Sequence, residues 1–153
     1  MTYEEYRELY KEWKTNDSKR REKKIRDTIA DSARELLNKL VKMYGKRGLD
    51  YVDDDDYRTD RGGTSFDGCN ESTVFLSYHD HWAYGGECDI DIDVPMKYLD
   101  EAEFNKLDEE LRKKQLETLE ETLQSKKAEI EYLTKSIGEI EAKIEELGKE
   151  SGK

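Results

Sequence analysis

From Leu116 to Leu147 apolar residues return at alternating steps of three and four, and no feature of the chain constrains its fold more. Leu116, Leu123, Ile130, Ile137 and Ile144 occupy the a positions of a strict heptad, and Leu119, Leu133, Ile140 and Leu147 occupy d. Lys126 is the one charged d residue. Mostly Leu at d, with Ile in the later a positions, suits a two-stranded coiled coil. Just upstream, "YLDEAEF" is a helix-start signal, with Asp100 as N-cap, Glu103 closing a capping box and Leu99 stapling onto Phe104. A helix from 101 to 147 would be about 70 Å long at 1.5 Å per residue, too long for a compact domain of this size. Phe104, Leu107 and Leu111 suit packing beside another helix, whereas the heptads over 116–147 need a partner of their own. A second copy of the chain is the expected source, giving a homodimer, with fold-back onto the N-terminal helices as the alternative. Flanking charges specify orientation weakly, since Thr122 faces Lys127, Glu129 faces Thr134 and Ser136 faces Glu141 in a parallel pair.

The remaining residues have little with which to build a large core. Of 153 residues, 34% are hydrophobic and 42% charged, so most of the chain is solvated. The net charge of −11 is uneven. Residues 1–48 carry 14 Lys/Arg against 9 Asp/Glu, residues 49–100 carry 3 against 14, and residues 101–153 carry 10 against 15. The middle segment alone therefore equals the charge of the whole. Three parts are expected: a helical segment over 1–46, an acidic loop and antiparallel sheet over 47–99, and a long helix over 100–150. The fold class is α+β.

At the N-terminus, Thr2 and Glu5 form a capping-box pattern for a helix starting at Tyr3. Tyr3, Tyr6, Tyr10 and Trp13 share one face of it, either laid on the domain or offered to a partner. A second helix is expected from Ser18 to Tyr44, ended by Gly45, with Ile25, Ile29, Ala33, Leu36, Leu37, Leu40, Val41 and Tyr44 as its apolar face. Its first turns, "SKRREKKIR", are basic but lack the glycines and aromatics of a nucleic-acid site, so solvation is the expected role.

From Arg47 to Ser72 the chain reads as a solvent-facing loop with one short strand at Leu49–Val52. Asp53, Asp54, Asp55 and Asp56 repel one another there. "STVFLSYH" (72–79) and "ECDIDIDVP" (87–95) are strands, joined by a connection ending in Gly85 and Gly86. Strict alternation puts Cys88, Ile90, Ile92 and Val94 on the core side, and Asp89, Asp91 and Asp93 in a solvent-facing row about 6.5–7 Å apart. Trp82 and Tyr84 sit in the connection as candidate anchors for a partner.

No metal, cofactor or catalytic site is expected. An extended strand holds the three carboxylates too far apart to share one ion. Cys69, His79, His81 and Cys88 could be drawn as four zinc ligands, but their spacing fits no common zinc pattern. A Cys69–Cys88 disulfide across the hairpin is geometrically conceivable, but in a cytosolic chain the two cysteines are expected to stay reduced. There is no G-x-S-x-G elbow, P-loop or dinucleotide fingerprint. A nuclease centre built on these His and Asp residues would repel its polyanionic substrate. No apolar run reaches the roughly 18 residues of a membrane span, and "MTYEEYRELYKEWK" lacks the apolar core of a signal peptide, which points to the cytoplasm.

Small, acidic and free of catalytic motifs, the chain resembles in general type the phage-encoded inhibitors of host defence enzymes, some of which imitate DNA with rows of carboxylates. That resemblance of type implies a non-catalytic protein-binding module acting in the host cytoplasm. It would occupy the nucleic-acid-binding groove of a basic protein partner without itself binding nucleic acid or membrane. The alternative is a structural or adaptor protein whose function is coiled-coil assembly.

Overall fold

The computed structural model describes residues 1–51, 64–81 and 87–152, the side chains of residues 80, 81, 87 and 88 excepted. It is an α+β structure with N-terminal helices α1 (Tyr3–Thr15) and α2 (Lys19–Lys46), strands β1 (Thr64–Cys69), β2 (Thr73–His81) and β3 (Glu87–Pro95), a 3-10 turn at Met96–Leu99, and α3 (Glu101–Ser151). The chain divides into two compact units, Met1–Arg112 and Lys113–Lys153.

Helix α1 begins where the capping box requires. The Glu5 N–H donates to Thr2 Oγ1 at 3.2 Å, and the Thr2 N–H donates to Glu5 Oε2 at 2.7 Å. The helix lays its aromatic row on the domain. Tyr6 is fully buried, Tyr3 stacks on it at 6.2 Å, and Trp13 meets the Phe66 ring edge-on at 6.1 Å.

Helix α2 starts at the Ser18 cap and supplies most of the core through Ile25, Ile29, Ala30, Ala33, Leu36, Leu37, Leu40 and Met43. Truncating a side chain such as Leu40 to Ala removes packing worth about 2–5 kcal/mol. The sequence expectation for its end needs correction. Gly45 stays helical, Arg47 is the C-cap, and the left-handed residue is Gly48 at φ 68°. The Leu49 N–H reaches the Tyr44 carbonyl at 2.9 Å and the Gly48 N–H reaches that of Gly45 at 3.0 Å, the paired bonds of a Schellman ending.

The sheet is antiparallel, ordered β1-β2-β3. Strand β1 falls in the segment expected to be loop, and Leu49 to Tyr51 is not strand; Val52 lies outside the described residues. Tyr51 instead packs edge-on against Tyr44 at 5.0 Å and donates its hydroxyl to the Asp93 carbonyl at 2.9 Å. The β1–β2 register slips between Phe66 and Gly68, where Gly68 takes φ 148°. One sheet face, with Val74, Leu76, Tyr78, Ile92 and Val94, closes on α2 together with Tyr6, Met96, Leu107 and Leu111.

The start of α3 differs from expectation in one bond. Asp100 Oδ1 accepts from the Ala102 N–H at 2.8 Å, while Glu103 turns to Lys106 Nζ at 3.1 Å. In the second unit, Leu116, Leu119, Leu123, Ile130, Leu133, Ile137, Ile140, Ile144 and Leu147 are each 50–64% exposed. Among the described residues, no helix is long and apolar enough to cross a membrane.

Candidate functional site: the acidic face of the sheet

Alternation along β3 sends Ile92 and Val94 into the core and leaves Asp89, Asp91 and Asp93 exposed on the outer face. Cross-strand pairing sets the row's neighbours: His79 opposite Asp89, Ser77 opposite Asp91 and Phe75 opposite Asp93. The outer face is therefore a line of carboxylates beside an imidazole, a hydroxyl and a half-buried aromatic ring.

Among the described residues, one carboxylate is engaged. His79 Nδ1 is hydrogen-bonded to Asp89 Oδ1, with the two side chains 44% and 75% exposed. Alternation along β3 alone leaves the three aspartates equivalent; cross-strand register, which sets His79 opposite Asp89, tells them apart. Asp91 and Asp93 form no ion pair with the described residues.

The edges of the sheet are held by side chains. On β1, Arg34 donates to the Thr64 carbonyl at 2.9 Å, and Arg26 donates to the Phe66 carbonyl at 3.4 Å while lying 5.3 Å from the Phe66 ring centre. On β3, the Tyr51 hydroxyl takes the Asp93 carbonyl. At those three carbonyls the edge is closed to pairing with another strand. Arginines of the basic helix thus have structural duties, including Arg21, which forks onto Glu12 at 2.5 and 2.8 Å and holds that carboxyl below its usual range.

The strand register also separates the two cysteines. Cys69 pairs with Val74, which pairs with Val94, whereas Cys88 pairs with Asp80 at the other end of the hairpin. Six strand positions separate Val94 from Cys88, about 20 Å of extended chain, and a disulfide needs Cα atoms under about 7 Å apart. The Cys69–Cys88 disulfide and the four-ligand zinc set therefore do not fit this sheet. Cys69 is half-buried against Tyr6, and burial pushes its thiol up to about 11 while the Tyr6 hydroxyl pulls more weakly downward.

Of the other expected contact residues, Asp53, Asp54, Asp55, Asp56, Trp82 and Tyr84 lie outside the described residues. A separate open groove of about 800 Å³ runs along α1, lined by Met1, Leu9, Glu4, Glu8, Glu12 and Thr28 among others. Glu8 and Glu12 are already paired, with Lys11 and Arg21. Comparison with protein-family models, with curated proteins and with solved structures finds no match to this chain.

Proposed function

We propose that the protein is a non-catalytic acidic binding module that turns the Asp89, Asp91 and Asp93 face toward a basic protein partner. The single observation that carries this reading is the exposed carboxylate row on an edge strand, within a segment of net charge −11. Asp53 to Asp56, Trp82 and Tyr84, outside the described residues, are proposed as further partner contacts. Such a row attracts a cationic groove at long range and stands where phosphates would stand, so the module excludes nucleic acid from its partner and binds none itself. An inhibitor of the phage-encoded type, acting in the host cytoplasm, is the function that suits this chemistry.

The exposed heptad stripe supports a second reading, an adaptor whose function is self-association through residues 116–147. The two differ in where function resides. Asparagine at positions 89, 91 and 93 abolishes partner binding in the first reading and spares it in the second. Truncation after Lys114 does the reverse.

A further inference from the structure

Nine apolar a and d side chains in the second unit are half or more exposed. Together they present on the order of 900 Å², about what each partner contributes to a standard-size interface. A second copy offers a surface of the same extent and period. The stripe begins on an a residue and ends on a d residue, so two copies overlap completely in either direction. In a parallel pair each residue meets itself. In an antiparallel pair Leu116 meets Leu147, Leu119 meets Ile144, Leu123 meets Ile140, Lys126 meets Ile137 and Ile130 meets Leu133.

Lys126 separates the two arrangements. A parallel pair sets both Lys126 side chains in one d layer, two like charges confined to an apolar seam. An antiparallel pair sets each against Ile137 of the other copy, with the two lysines about 16 Å apart along the axis and beyond the screening length at physiological salt. The flanking positions oppose this preference only slightly. Antiparallel pairing brings Glu120 opposite Glu141 on the exposed rim, where a charge pair weighs far less than one in the seam. Sliding the copies by one heptad would bring Glu141 opposite Lys127 and Lys143 opposite Glu129. It would also uncover Leu116 and Leu119 on both copies, and four leucines outweigh four exposed ion pairs.

We infer that residues 116–147 form an antiparallel, fully overlapping two-stranded coiled coil with a second copy of this chain, with Lys126 packed against Ile137 of that copy. The inference rests on the self-association proposed above and deepens it by fixing direction and register.

The test uses Glu120 and Glu141, which are 21 residues apart and so about 32 Å apart on one helix. Energetic coupling between them arises only between copies. Sedimentation equilibrium on the full chain compares wild type, Glu120→Lys, Glu141→Lys and the double variant, with helical content checked by circular dichroism. Each single substitution turns two repelling rim pairs into attracting ones and tightens the dimer roughly three- to tenfold. The double variant restores like charges and loses most of that gain, and the cycle cancels effects internal to one helix. Independent effects of the two substitutions overturn the antiparallel register in favour of a parallel pair, where these positions face Gln115 and Ser136. A dimer weakened by Glu141→Lys and restored by adding Lys127→Glu overturns the full overlap. A wild-type monomer at high micromolar concentration overturns self-association itself, an outcome separate from the other two.

Discussion

Arg47, the C-cap of α2, forks onto Asp108 in the second turn of α3, with Nη2 2.7 Å from both carboxylate oxygens and Nε 3.0 Å from Oδ1. Arg47 is 13% exposed and Asp108 36%, so water screens this pair less than any other ion pair among the described residues. It joins the end of the main core helix to the turns carrying Leu107 and Leu111. Asp108→Asn is expected to destabilise the first unit by about 1–2 kcal/mol, because a charge-assisted bidentate contact becomes a neutral one. Urea denaturation of the variant measures it. Breaking the exposed Lys149–Glu145 pair should change stability by less than about 0.5 kcal/mol.

Tyr6 ties α1 to the turn between β1 and β2. Its hydroxyl donates to the Asn70 carbonyl and approaches that of Thr73 at 3.3 Å, inside a fully buried site. Tyr6→Phe keeps the packing and removes the donor, and is expected to cost about 1–2 kcal/mol. Tyr6→Ala also opens a cavity and should cost about 3–5 kcal/mol. Equal losses in the two variants would mean that the hydrogen bonds, and not the ring, hold α1.

Cys69 gives a pH dependence with a defined sign. Burial raises its thiol from 9.0 to about 11 in the folded chain. A group whose folded value is raised contributes stability while protonated; that contribution is complete below pH 9 and is lost as pH rises through about 11. Tyr6 is shifted upward as well, chiefly by burial and then by Cys69, and acts in the same direction. The denaturation midpoint should therefore fall between pH 9 and pH 11. Alkylation of Cys69 by iodoacetamide, followed by peptide mass analysis to separate it from Cys88, should be slow at pH 8. Labelling at the rate of a free thiol at that pH would contradict the buried environment.

Much of this architecture is legible in the sequence because periodicity reports which side of an element is dry. The 3.6-residue pattern of Ile25 to Leu40 and the strict alternation from Asp89 to Val94 each find their core. The Thr2 and Glu5 cap is local, and its residues suffice to place it. Strand β1 is not legible: "TSFDGC" has no clean alternation, and the slip at Gly68 breaks what pattern there is. Gly45 and Gly48 look equivalent as helix stops, and the choice falls to Gly48 because the Leu49 N–H closes onto Tyr44 there. The His79–Asp89 pair depends on which residues of two strands stand opposite one another. That register is set by the whole hairpin, and neither residue's neighbours along the chain contain it.

Engagement of a basic groove by the outer carboxylates is tested with the Asp89→Asn, Asp91→Asn and Asp93→Asn triple variant. Thermal stability should stay within about 1 kcal/mol of wild type, since the side chains are exposed and, among the described residues, only Asp89 has a side-chain hydrogen bond. Affinity is then measured against the basic partner isolated with the wild-type chain, as a function of salt and of added duplex DNA or RNA. Wild-type binding should weaken as salt approaches 0.5 M, where screening shortens to about 4–5 Å. It should also compete with nucleic acid for the partner, and the triple variant should bind far more weakly at low salt. Equal binding by the triple variant, insensitive to salt and to nucleic acid, would contradict the account and move the contact surface away from this face.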